Sequence, residues 1–187
     1  MSKPRRCARA GVALAAALAV GATMASAATS PAARTLQSPK ALILQKSDFP
    51  SGTKVIRTIG PMGASFGRTY RYSGPKGSSE LSATLSVAKS DGQARAAYKT
   101  LRTDFRALLV KLVKGTGLKP WLTLPRYGDE QFASYHHLDG GKLLVRKGKV
   151  LWFLLLQGAG TRTPTKAEVV AELKKYGAKQ KQRVDNG

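Results

Sequence analysis

Val150-Leu151-Trp152-Phe153-Leu154-Leu155-Leu156 is apolar at every position, with no polar residue on either side of the alternation expected of an exposed strand. A strand with one face in water alternates apolar and polar side chains, whereas one apolar on both sides needs cover on both faces. This segment therefore predicts a central strand of a sheet with helices on either side. Working backwards, residues 131–138, 142–146 and 149–157 read as three strands joined by Asp139-Gly140-Gly141 and Lys147-Gly148. Both connections suit tight hairpins, so the second half of the chain is a meander.

Two helices are placed to supply the cover. One spans residues 91–114, where Ser90 and Gln93 form a capping-box pattern and Gly115 follows the end. Ala94, Tyr98, Leu101, Phe105, Leu108 and Leu112 recur at helical spacing and define its expected core stripe. The other begins after Pro164, with Thr165 and Glu168 as a second capping box and Val169, Val170, Leu173 and Tyr176 facing inward. Earlier in the chain, residues 53–59, 68–73 and 80–87 read as strands set apart by Gly60-Pro61-Met62-Gly63 and Gly74-Pro75-Lys76-Gly77. The third alternates strictly, with Leu81, Ala83, Leu85 and Val87 on one side and Glu80, Ser82, Thr84 and Ser86 on the other. Ser38-Pro39 signals a short helix to about Gln45, which must stop before Phe49-Pro50. The expected fold class is α+β, a mainly antiparallel sheet covered by helices on both faces, built as a single basic domain over residues 38–187.

The first 27 residues carry a different message. Lys3, Arg5, Arg6 and Arg9 precede an uncharged, alanine-rich run that ends in Ala25-Ser26-Ala27. Cationic start, apolar run and A-x-A site make a secretory signal peptide over residues 1–27. The alternative is an uncleaved anchor, although a run so rich in alanine is weakly apolar for the roughly 20 residues a bilayer requires. Arg5-Arg6 raises the twin-arginine route, but Cys7-Ala8-Arg9 follows where apolar residues belong. Cys7 precedes the apolar run, so it is misplaced for lipid attachment. Cleavage after Ala27 removes the single cysteine and leaves a secreted domain without disulfides or thiolate metal sites. Residues 28–37 are small, polar and Pro-containing, a flexible leader.

Charge is the strongest compositional signal. The chain has 32 Lys and Arg against 10 acidic residues. Four of the cations lie in the signal segment, so the processed domain keeps a formal charge of about +18. Such a surface concentrates polyanions and repels cations. Outside the cytoplasm the matching partners are an anionic envelope polymer or an anionic lipid surface, with nucleic acid a lesser candidate. Arg95, Lys99, Arg102 and Arg106 fall within about 60° on one helix and form a cationic stripe. Lys174, Lys175, Lys179, Lys181 and Arg183 add charge near the C-terminus. The expected anion-binding residues are Arg95, Lys99, Arg102, Arg106, Lys174 and Lys175, set against the plain alternative of solvated helix faces.

Several phrases resemble a known group of proteins. Ala41-Leu42-Ile43-Leu44, Ser47-Asp48-Phe49-Pro50-Ser51-Gly52 and Gln93-Ala94-Arg95-Ala96-Ala97-Tyr98 are similar to secreted proteins of high-GC Gram-positive bacteria. Tyr127-Gly128-Asp129-Glu130 and Leu144-Val145-Arg146-Lys147-Gly148-Lys149-Val150 fit the same pattern. The likeness, over roughly residues 39 to 182, is to extracellular sensor-type domains found alone, as lipoproteins, or on bacterial serine/threonine kinases. It implies a PsbP-like α/β/α fold and a binding or sensing module without catalytic residues; if such a module holds its ligand in a cleft between sheet and helix, that ligand is small or lipidic. The chain departs from that group in lacking the paired cysteines, a lipidation cysteine and a kinase.

The residues themselves offer little chemistry. His136 and His137 are neighbours in a predicted strand, where successive side chains leave opposite faces, so they are poorly placed to share a metal. Ser134, His137 and Asp139 name a Ser-His-Asp triple, but no nucleophile-elbow sequence surrounds the serine. Gly128-Asp129-Glu130 is either a ligand contact or a turn whose acids pair with a nearby cation. Gly115-Thr116-Gly117 lacks the following helix that a phosphate cradle needs. Tyr70 and Tyr72, beside Arg68 and Arg71, read as packing or as a stacking platform for single-stranded nucleic acid. The expectation is a protein that is not an enzyme and uses no cofactor.

Overall fold

The structure is a computed structural model that describes residues 37–74, 77–160 and 162–187. The signal segment and residues 28–36 of the leader lie outside the described residues. The elements run α1 (Pro39–Leu42), a 3₁₀ turn (Lys46–Asp48), β1 (Lys54–Met62), β2 (Ser65–Gly74), β3 (Gly77–Val87) and α2 (Asp91–Val113). Then come β4 (Glu130–His136), β5 (Gly140–Lys147), β6 (Val150–Gly158) and α3 (Lys166–Asn186). This is an α+β fold with one six-stranded antiparallel sheet in the order β1-β2-β3-β6-β5-β4. Two three-stranded meanders, each followed by a helix, meet where β3 pairs with β6.

The all-apolar strand is central, as its sequence requires. Trp152 sits opposite Leu85 of β3 and Val145 of β5, and is 1 % exposed. Alternate residues of β5 and β6 divide between two clusters. Leu144 and Leu151 join Tyr98, Leu101, Phe105 and Leu109 of α2, with Phe153 packed beside them. Leu143, Val145, Trp152 and Leu154 join Val169, Leu173 and Tyr176 of α3, together with Leu42, Ile43 and Leu44.

The opening helix is shorter than its sequence suggests. It ends at Leu42 rather than near Gln45, and Ile43 continues in extended geometry. The cause is burial: Leu42, Ile43 and Leu44 are all inside the core. Their backbone polar groups are met by the buried Gln180 of α3, whose Oε1 accepts from Leu44 N–H at 3.0 Å and whose Nε2 donates to the Leu42 carbonyl at 2.8 Å. The Tyr70 hydroxyl donates to the Leu44 carbonyl. Ser38 makes no side-chain cap, although proline does occupy the first turn.

Three local expectations are corrected in the same way. The stretch read as a turn, Gly60-Pro61-Met62, lies within β1 and contains a cis Gly60–Pro61 bond, so the hairpin closes later, at Gly63-Ala64. Ser90 Oγ accepts from Gln93 N–H at 3.2 Å, but the Gln93 side chain accepts from Lys89 N–H rather than completing a box with Ser90. On α2 the inward position after Phe105 is Leu109, while Leu108 and Leu112 are exposed. Helical drift lets the stripe advance by four residues there instead of three. The α3 capping box is complete, and Val169, Leu173 and Tyr176 are buried as expected, with Val170 half-buried.

Candidate anion-binding surface

Arg95, Lys99, Arg102 and Arg106 are all exposed on α2, a helix with neither proline nor internal glycine after Gly92. Their 4-3-4 spacing keeps them on one side of the helix. Asp104 does not compensate them: two residues from Arg102 and Arg106, it leaves the helix about 160° away. Arg95 has the one acidic neighbour shown, Glu130 Oε2 at 3.9 Å from its Nε. Arg106 stands 5.9 Å from the centre of the Trp121 ring.

Lys174 and Lys175 are exposed on α3, and the Lys175 ammonium lies 5.1 Å from the Tyr176 ring centre. α3 packs with a different set of β5 and β6 residues from α2, so these lysines do not extend the stripe. The other C-terminal cations are partly occupied inside the fold. Lys179 donates to the Asp48 carbonyl, Lys181 pairs with Asp185, and Arg183 Nε is 2.6 Å from Asp48 Oδ2.

The acidic turn pairs with a cation that the sequence reading had not singled out. Arg146, 2 % exposed in β5, reaches Glu130 Oε2 at 2.5 Å, Asp91 Oδ1 at 2.5 Å and Asp129 Oδ2 at 3.4 Å. Its Nη1 also donates to the Gly148 carbonyl at 3.0 Å. Burial alone would lower its pKa, but these three carboxylates raise it above the ordinary value. Gly128 makes the arrangement possible, because a Cβ there would run into the Arg146 carbonyl that accepts from Asp129 N–H at 2.8 Å. The signal in sequence was an arginine directly following the apolar run Leu143-Leu144-Val145.

The remaining sequence candidates separate. Tyr70 and Tyr72 are buried, with Phe49 stacked between Tyr70 at 4.2 Å and Tyr176 at 4.5 Å, so neither ring is open to a base. The Tyr72 hydroxyl donates to Glu172 Oε2 at 2.6 Å, and burial raises its pKa with that carboxylate adding to the shift. The two histidine rings approach to 4.5 Å instead of diverging, because β4 ends at His136 and His137 belongs to the turn. Among the described residues no group of three His, Cys, Asp or Glu side chains is placed to hold a metal. Ser134 is fully buried and its hydroxyl has no hydrogen-bond partner, so the Ser134-His137-Asp139 triple is not assembled as a nucleophile and base.

Beside Ser134, the cross-strand partner Lys142 is 5 % exposed, pairs with Asp139 and lies 5.9 Å from the Phe105 ring centre. Burial pushes its pKa down to about 8. An unfolded lysine titrates near ~10.4, so above the folded value the unfolded chain binds more protons. The burial penalty is therefore complete well below pH 8 and is relieved as pH rises through 8 towards the unfolded value, so stability should increase over that window. Urea midpoints should climb between pH 7.5 and 9.5 for the parent and stay flatter for Lys142→Met. A parent curve as flat as the variant's contradicts the buried ammonium.

A pocket of about 90 Å³ lies between β2, β3 and α3, lined by Gly74, Ser79, Leu156, Arg162, Glu168 and Glu172 among others. Sites for drug-sized ligands run to roughly 300–1,000 Å³. This pocket is too small for one. Compared with protein-family models, curated proteins and solved structures, the chain has no significant match. No helix among the described residues is long and apolar enough to cross a membrane.

Proposed function

We propose that this chain is an exported, non-catalytic module that docks on an anionic surface of the cell envelope through α2. The observation that carries the reading is the row Arg95, Lys99, Arg102 and Arg106, exposed together, with Glu130 at 3.9 Å from Arg95 as the one ion pair it makes among the described residues. Like charges stacked at these spacings repel and cost the isolated helix stability. A polyanion or an anionic bilayer would relieve that repulsion. Export rests on the signal pattern of residues 1–27.

The same reading takes the architecture as helices on both faces of the sheet, in the manner of PsbP-like sensor domains. Its support is the division of Leu144 and Leu151 from Leu143, Val145 and Trp152 into separate clusters, since adjacent strand residues point to opposite faces. Lys174 and Lys175 then project from the face opposite α2 and form a separate, weaker patch. A small or lipidic ligand held in a cleft is the alternative function; the pocket of about 90 Å³ between β2, β3 and α3 would not itself hold a drug-sized one.

Binding to a soluble polyphosphate tests the stripe. Affinity should fall steeply between low and physiological salt, because bound cations release condensed counterions from the polyanion. Changing Arg95, Lys99, Arg102 and Arg106 together to Gln should weaken binding about tenfold or more at low salt and flatten the salt slope. Changing Lys174 and Lys175 to Gln should do less. Identical affinities and slopes for the parent and the fourfold variant remove α2 from the function.

A further inference from the structure

The end of α2 carries apolar side chains that the described fold leaves uncovered. Leu109 is the last residue of the helix inside the core. Beyond it no residue of the helix is buried, and, with the preceding Leu108, the side chains of Val110, Leu112, Leu118 and Trp121 are between 37 and 52 % exposed. Leu108 and Leu112, one turn apart, share a bearing beside the Phe105–Leu109 stripe, while Val110 leaves about 160° away, so the last turns expose apolar side chains on two sides. A helix end of that kind is normally buried against something.

Trp121 is held in place rather than waving free. It bridges to Ser134 at the outer edge of β4, meets Phe132 edge-on at 5.7 Å, and carries Arg106 over its ring. One side of the indole is therefore anchored and the other is open.

Charge decides what covers this tip. Residues 105–128 hold Arg106, Lys111, Lys114, Lys119 and Arg126 and no acid. A second copy meeting the same face would bring two such cationic stretches together, which is unfavourable. Protein interface cores are depleted in lysine, whereas Lys and Arg around Leu and Trp are the composition of a segment lying in a bilayer interface. Tryptophan suits the headgroup level, being apolar in body and polar at its N–H.

We propose that the exposed end of α2 and the loop to Trp121 insert into the headgroup boundary of an anionic phospholipid bilayer. The proposal rests on α2 being the docking helix, and specifies lipid as its partner. Arg106, Lys111, Lys114 and Lys119 meet the headgroups while Leu112, Leu118 and Trp121 enter the acyl boundary.

The chain has two tryptophans, and Trp152 is buried at 1 % exposure, so an emission change on binding reports Trp121. The full chain is titrated with vesicles of phosphatidylcholine, alone or mixed with phosphatidylglycerol, and with soluble polyphosphate. A second protein carries Leu112→Ser and Leu118→Ser, both at exposed positions; every protein shares residues 1–36, which contain no tryptophan. With the mixed vesicles, the parent's emission should shift to the blue. The double variant should bind those vesicles about tenfold or more weakly while keeping the parent's affinity for polyphosphate. Equal vesicle binding by the two proteins, or vesicle binding with unmoved emission, overturns insertion and leaves the electrostatic docking intact. Binding to polyphosphate but not to vesicles overturns the lipid assignment alone. A blue shift that needs only higher protein concentration assigns the tip to a second copy, and failure to bind either probe removes both this inference and the docking role of α2.

Discussion

Trp152→Ala should lower the stability of the domain by about 3–5 kcal/mol. The indole lies on the α3 side of β6, 6.2 Å from the Tyr127 ring centre and in the same cluster as Leu85, Val145 and Tyr176. Its N–H has no hydrogen-bond partner, so its contribution comes from packing, less the desolvation cost of that donor. Alanine would leave a cavity where β3, β5, β6 and α3 converge, in a region held by strand pairing on both sides and unable to collapse freely. For a domain of this size each kcal/mol moves the melting temperature by roughly 2–4 °C, so thermal unfolding should show a fall of about 10 °C. Trp152→Phe, which keeps most of the apolar volume and discards the unpaired N–H, should cost clearly less. A near-neutral alanine variant would mean that β6 is not the centre of the sheet.

The second large effect belongs to Arg146. Its guanidinium ties three separate elements to β5: the first residue of α2 through Asp91, the loop before β4 through Asp129, and the first residue of β4 through Glu130. Removing one member of a buried ion-paired group typically costs about 3–5 kcal/mol, and Arg146→Ala should fall near the lower end. The reason is that Asp91 and Asp129 are half exposed and can return to water. Arg146→Met keeps much of the stem volume without the charge and should cost less than alanine. Arg146→Lys should not restore the parent, because one ammonium cannot span the carboxylates that a planar fork reaches together. Urea denaturation of the three variants checks the order. An alanine variant within about 0.5 kcal/mol of the parent would place Arg146 among ordinary surface charges.

Much of this fold is legible in the chain because period and punctuation agree. Residues 150–156 run apolar on both sides, Glu80 to Val87 alternates, and Thr165 with Glu168 starts α3 where the capping box says it should. What escaped was set by partners distant in sequence. The length of α1 depends on Gln180, which is 138 residues from Leu42, and no local propensity reveals that a side-chain amide will serve an extended backbone. A polar residue at the inward spacing Val169, Leu173, Tyr176, Gln180 was the available sign. The stripe itself was readable from spacing, but its neighbours were not: Asp104 lies across the helix, and the C-terminal cations are drawn towards Asp48 and Asp185. The exposed tip was hidden by its own composition, since Leu108 and Leu112 look like core at helical spacing until the packing of α2 is known.

The central claim, that this is a docking module for an anionic envelope surface, is tested most directly by sedimentation of the protein with vesicles across a range of salt. Vesicles containing phosphatidylglycerol should bind it at low salt, with the logarithm of affinity falling linearly against the logarithm of salt concentration, while phosphatidylcholine vesicles leave it in solution. Equal partition onto neutral and anionic vesicles, or no binding at low salt to either the anionic vesicles or soluble polyphosphate, would contradict the account.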